Sequence, residues 1–191
     1  MKARDNPFSV ERLHAVRYRT PEATFDEILS RLDEMNYRAA IVGPEGSGKT
    51  TLLGNVQDAL AQKGFKTWMF FVNDTAPLTG PACRRFLTEV APDEIVLLDG
   101  ADAVGRSSWS LLRRRTANHA AGLIITSHRP GLLPTLVKCA TTPALLADIV
   151  AELKPPGQTL PPSFLTDLYQ RHAGNLRDCL RELYDLYAGY D

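Results

Sequence analysis

Three observations predict an α/β fold built on a parallel sheet. Short apolar runs alternate with helical stretches along most of the chain. The first run, "AIVG", passes directly into a glycine-rich turn, "PEGSGKT". A later one, "EIVLLDG", stops at a carboxylate followed by glycine. Alternating strands and helices form βαβ units, and strands buried on both faces read as unbroken apolar runs.

Each element follows in order. Residues 1–19 read as an irregular arm, and Thr20-Pro21 reads as an N-cap with proline at the first helical position. Phe25, Ile28, Leu29, Leu32 and Met35 then recur at helical spacing. "RAAIVG" (38–43) predicts a buried strand, and residues 50–63 a helix with Gly64 as its C-cap. "TWMFFV" (67–72) predicts a second strand, "PACRRFLTEVA" (81–91) a helix and "EIVLLD" (94–99) a third strand. "SSWSLLRRRTANH" (107–119) predicts another helix, "AGLIITS" (121–127) a fourth strand and "LVKCA" (136–140) a short fifth. The proline-rich "KPPGQTLPP" (154–162) can continue neither a helix nor a central strand. It divides a core (1–153) from a small helical piece (154–191), where Leu176, Cys179, Leu180, Leu183, Tyr184 and Tyr187 form an apolar stripe.

At 191 residues, with 44% hydrophobic and 23% charged residues, the chain can bury a sizeable core. Zero net charge gives no global field toward nucleic acid or an anionic membrane. Three scattered cysteines (Cys83, Cys139, Cys179) suit neither a disulfide framework nor a zinc site. The start, "MKARDNPFSV", lacks the apolar stretch of a secretory signal, and no apolar run is long enough to span a bilayer. The expectation is a cytoplasmic protein.

Gly43-Pro44-Glu45-Gly46-Ser47-Gly48-Lys49-Thr50 matches G-x-x-x-x-G-K-[ST], the Walker A pattern. Polyphosphate oxygens need backbone N–H groups around them, and glycines let the loop wrap that closely. The helix running on through Thr51 adds its unpaired N-terminal amides. Lys49 can reach the β- and γ-phosphates of ATP, and the Thr50 hydroxyl can ligate Mg²⁺. Asp99, at the carboxyl end of an apolar strand, is the candidate second Mg²⁺-holding group.

With these motifs the sequence resembles the AAA+ class of P-loop ATPases. "GPEGSGKT" is similar to Walker A and "IVLLDGAD" to Walker B. "LIITSH" resembles the strand ending in the sensor 1 position, here Thr126 or Ser127. "AGNLRDCLREL" resembles the Gly-Asn-x-Arg segment of the helical lid, which makes Arg177 sensor 2. "NPF" at residues 6–8 resembles an opening found in origin-recognition-type and transposition-helper members. The resemblance implies a three-layer core with strand order 5-1-4-3-2, ATP (or ADP) with Mg²⁺, and a lid that brings Arg177 to the γ-phosphate. For Arg177 the residues alone also allow a solvated helix position facing Asp178 or Glu182.

One position departs from the family. Gly100 stands where these ATPases carry a glutamate that polarises the attacking water. Asp102, Glu45 and His128 are the conceivable substitutes, and Gly100→Glu is the change that would restore the missing group. Arg113-Arg114-Arg115 reads as a solvated face or a basic edge, and Arg129 as a group acting in trans. Trp68 and Trp109 read as core residues. No base-reading motif supports nucleic-acid recognition.

These features lead to a nucleotide-binding module with weak or partner-stimulated hydrolysis, its output expressed on a protein partner or through self-assembly. Two alternatives stay open: a P-loop small-molecule or nucleoside kinase using Asn73-Asp74, and a nonenzymatic scaffold with a vestigial site.

Overall fold

The computed structural model describes residues 6–20, 22–73, 88–154 and 160–189. Its elements are α1 (Val10–Ala15), α2 (Phe25–Glu34), β1 (Arg38–Val42), α3 (Lys49–Gln62), β2 (Lys66–Phe71) and β3 (Glu94–Asp99). A 3-10 turn (Ala101–Ala103), α4 (Arg106–His119), β4 (Gly122–Ser127) and β5 (Thr135–Lys138) follow. The chain ends in α5 (Pro143–Leu153), α6 (Pro162–Arg171) and α7 (Leu176–Ala188). Internal packing groups residues 19–43 and 49–139 in one unit, and residues up to 18, 44–48 and from 140 onward in another.

The first unit carries the sheet. Its five strands are all parallel, in the order β2-β3-β4-β1-β5, as the AAA+ resemblance implies. The three central strands are buried on both faces, which explains their unbroken apolar sequence. Ala40, Val42, Val96, Leu98, Leu123 and Ile125 share one face with Leu112 of α4. Their neighbours Ala39, Ile41, Ile95, Leu97 and Ile124 alternate to the other face. Helix α3 lies against β1 to β4 and buries Leu52, Leu53, Val56 and Leu60. Trp68 and Trp109 pack against the α4-side core, as read from the sequence. Arg38 at the start of β1 donates to the carbonyls of Thr116 (2.6 Å) and Ala120 (3.0 Å), capping the end of α4.

The second unit is helical. Leu146, Val150 and Leu153 of α5 pack with Leu165 and Leu168 of α6 and with Leu176, Cys179, Leu180 and Leu183 of α7. The expected boundary at 153/154 placed α5 with the core, but its apolar face belongs to this helical cluster. Burial raises the Cys179 thiol to about 11, so it behaves as an apolar filler. Asn6-Pro7-Phe8 anchors the N-terminal arm here. Asn6 Nδ2 donates to the Tyr184 carbonyl at 2.8 Å, and its Oδ1 accepts from the Phe8 amide at 2.9 Å. The Phe8 ring meets Tyr187 edge-on at 5.2 Å.

Three readings are corrected. The arm is not irregular throughout, because Phe8 and Val16 are buried on either side of helix α1. Helix α2 starts at Phe25 rather than near Thr20: Thr24 and Glu27 form a reciprocal capping box, whereas the Thr20 hydroxyl accepts from the Glu22 amide, outside the helix. Helix α5 is additional to the expected elements, although Thr142 caps it and Pro143 opens it. Pro21, Asp74, Cys83, most of the helix expected at 81–91 and most of the proline-rich linker lie outside the described residues.

On the helical unit Glu182 accepts from His172 Nε2 and Arg171 Nη1, each at 2.7 Å. These bonds, that from His172 first, hold its carboxyl below the ordinary 4.5. A carboxyl titrating lower when folded adds stability above its unfolded value and loses it as pH falls through the lowered one. Glu182→Gln should therefore make the acid side of the stability curve shallower. Circular dichroism melts across pH would read this; an unchanged acid limb would count against the pairing.

Candidate functional site

Strand β1 runs out at Val42, and the Gly43 amide donates to the Ser127 carbonyl at 3.1 Å. The chain then turns through Gly46 (φ 68) and Gly48 (φ 86). Ser47, 2% exposed, closes the turn by donating to the Pro44 carbonyl at 2.8 Å. Helix α3 starts at Lys49, so the amides of Lys49, Thr50 and Thr51 belong to its first turn. Strand, glycine turn and helix N-terminus therefore follow one another as the phosphate-cradle motif demands.

Glycine at 46 answers a second demand. A Cβ there would lie 1.7 Å from Asn175 Oδ1. Asn175 is the N-cap of α7, its side chain accepting from the Asp178 amide at 3.3 Å. One turn of the loop therefore abuts the cap of α7. Sequence reasoning assigned a role to the arginine of Gly-Asn-x-Arg and none to the asparagine, although Asn ahead of an apolar stripe is itself an N-cap signal. Arg177 Nη1 stands 3.6 Å from Glu45 Oε1, both side chains about two-thirds exposed (64% and 68%). Its alternative partner Glu182 is taken by Arg171 and His172.

Asp99 closes β3 at the sheet's carboxyl rim. Thr50 Oγ1 donates to Asp99 Oδ2 at 2.8 Å, and Thr126 Oγ1 donates to Asp99 Oδ1. The Gly100 amide in turn donates to Thr126 Oγ1 at 2.9 Å. Of the two sensor 1 candidates, only Thr126 reaches Asp99. Ser127 Oγ lies 2.9 Å from Asp102 Oδ1 instead. The paired oxygen donors of Thr50 and Asp99 suit a hard cation such as Mg²⁺, which takes one or two protein oxygens and leaves the rest to phosphate and water. Among the described residues no cluster of three or more His, Cys, Asp or Glu offers a softer metal site.

The position of the missing glutamate is sterically closed. Gly100 has φ 86, and a Cβ there would sit 2.1 Å from the Val72 carbonyl oxygen. Val72 is fixed because its own amide donates to the Asp99 carbonyl at 2.8 Å. Asp102, one conceivable substitute, has both carboxylate oxygens engaged, by Ser127 Oγ and by the His128 amide at 2.6 Å. It clamps the end of β4 to the 3-10 turn. His128 is tied to that clamp through its backbone and is exposed. Arg113 and Arg114 are exposed on α4, and Arg115 meets His119 at 3.3 Å.

No protein-family model matches the sequence, and no curated protein does. Solved structures do resemble the fold. The RuvB Holliday junction branch migration motor of Thermotoga maritima aligns with TM-score 0.60 at 15% identity, over 93% of this chain and 63% of its own. NtrX from Brucella abortus, solved in complex with ATP, aligns at 0.59 and 15%, over 95% of this chain and 53% of its own. PCH-2 of C. elegans aligns at 0.51 and 15%, over 91% and 70%. The chain thus spans 63% of the matched RuvB. These are AAA+ proteins, and the chain shares their P-loop α/β fold. Among the described residues no helix is long and apolar enough to cross a membrane.

The closed position yields a test. Gly100→Glu should cost about 2 kcal/mol or more, from left-handed backbone and the collision with Val72 together. It should not raise phosphate release. Denaturant unfolding and a phosphate-release assay on the same preparation would check both. A stable variant with increased turnover would show that the backbone yields.

Proposed function

We propose that the chain is an AAA+-like module that binds ATP with Mg²⁺ and acts as a nucleotide-controlled switch or a slow, partner-stimulated ATPase. The observation that carries this reading is the convergence of Thr50, Asp99 and Thr126 at the rim of a parallel sheet, in a chain with a Walker A loop. Those groups come from three separate elements, and a structural cap would not require all of them.

On this reading the loop from Gly43 to Thr51 wraps the phosphates with its amides. Lys49 supplies the cation opposite the β- and γ-phosphates. Thr50 and Asp99 hold Mg²⁺, which neutralises the charge spread over the phosphate oxygens. Arg177, already beside Glu45 of the loop, has the fork geometry to grip a phosphate oxygen pair. The water-polarising glutamate has no counterpart at position 100, so the chain on its own turns over slowly. NtrX, solved with ATP on the same fold, supports the choice of nucleotide. A cytoplasmic setting, where ATP and Mg²⁺ are plentiful, fits this reading. The output passes to a protein partner or to further copies of the chain.

Titration calorimetry of ATP with excess Mg²⁺ tests the reading. Lys49→Ala should weaken binding by roughly 10-fold or more, the loss of about one charge-assisted contact. Equal affinity in wild type and variant would overturn it.

A further inference from the structure

We propose that Thr126 is a positioning residue that sets Asp99 for Mg²⁺ and does not report on the terminal phosphate. This rests on the proposed nucleotide site and gives a role to one of its residues, which the AAA+ resemblance identifies only as a candidate for the sensor 1 position.

The hydroxyl of threonine carries one proton and two lone pairs. In Thr126 the proton lies on Asp99 Oδ1, and a lone pair takes the Gly100 amide at 2.9 Å. Both partners are rigid. Gly100 is wedged beneath the Val72 carbonyl, where even a Cβ would come within 2.1 Å. Asp99 is held from its other side by Thr50 at 2.8 Å. Thr126 itself is 1% exposed, on a strand hydrogen-bonded to β1 and β3.

A phosphate oxygen at neutral pH accepts hydrogen bonds and offers none. Thr126 could bond to it only by withdrawing its proton from Asp99, which would leave a buried-side carboxylate oxygen without its donor. The connected bonds from Gly100 to Thr126 to Asp99 therefore orient the carboxylate, as outer partners orient the ligands of a metal. Thr50 keeps its proton on Asp99 Oδ2 and presents a lone pair to the cation. The consequence is specific: Mg²⁺ accompanies ADP as well as ATP, so Thr126 serves both nucleotides alike.

Calorimetry of ADP and of ATP, each titrated across magnesium chloride concentrations and once in EDTA, distinguishes the roles. Thr126→Val, nearly isosteric, should raise the Mg²⁺ needed for half-maximal effect by roughly 10-fold for both nucleotides. Binding in EDTA should be unchanged, and Thr126→Ser, which keeps the hydroxyl, should behave as wild type. In an Asp99→Asn background the valine change should add less than about 2-fold, because two residues acting through one group are not additive. If Thr126→Val does not fold, Thr126→Ala against Thr126→Ser gives the same comparison. Loss of ATP binding with ADP untouched would overturn the assignment in favour of a terminal-phosphate sensor. A full effect persisting on Asp99→Asn would show that Thr126 does not act through Asp99. Wild-type protein that binds neither nucleotide would overturn the proposed function and this inference with it.

Discussion

Everything at the rim depends on one carboxylate being told where to point. Asp99 ends a strand buried on both faces, so its backbone is fixed while its side chain leaves the sheet. A free carboxylate there would sample several rotamers, and fixing it would cost side-chain entropy. Instead Thr50 addresses one oxygen and Thr126 the other. Register makes this possible: β4 pairs with β3 so that Ile125 lies opposite Leu98, and the next residue, Thr126, comes abreast of Asp99. The apolar packing below the rim, including Leu97, Leu98, Ile124 and Ile125 at 0% exposure, is what holds that register.

A second dependence runs through the loop. Gly46 meets Asn175, and Glu45 meets Arg177, so two consecutive loop residues are matched to two residues of one helical segment. The exposed ion pair contributes little by itself. The glycine contact is stricter, because no side chain can be added at position 46 without displacing the helix cap. Glycine in this motif is usually explained by phosphates alone; here the protein's own asparagine imposes the same residue. The Asn6-Pro7-Phe8 anchor lies on the same helix, so α7 carries an anchor near its end and a loop contact at its start.

How much of this is legible in the sequence follows from which forces act locally. Strand β3 is readable to the residue, because an apolar run bounded by Asp99-Gly100 leaves no other ending. The strand order is not in the periodicity at all and comes from the family resemblance. Thr-Pro misleads at residue 20 yet opens a real helix at residue 142, because the dipeptide sets only φ and a cap. The reciprocal Thr24–Glu27 box decides the first case and the apolar stripe of α5 the second. Sequence alone does not tell Thr126 from Ser127, since neighbours on a strand point to opposite faces and only register says which meets Asp99. At Gly100 the sequence shows a side chain missing from the chemistry. That its space belongs to the Val72 carbonyl depends on β2 pairing with β3, which no local pattern encodes.

The closed position also bears on time. A well-placed general base is worth about 10²–10⁴ in rate, and enzymes commonly turn over at about 10 per second. A site holding triphosphate and cation without that base would then hydrolyse at about 0.1 to 0.001 per second, a lifetime from about ten seconds to about a quarter of an hour. Over such intervals nucleotide exchange competes with cleavage, and the bound state is set by what is available and by what a partner stabilises. A glutamate at position 100 would shorten that interval, and the backbone there does not admit one. The same wedge that holds the Gly100 amide on Thr126, and so keeps Asp99 aimed, is what bars the catalytic side chain. On the proposed reading, orientation of the cation site and slowness of the chemistry are two results of one contact between Gly100 and Val72.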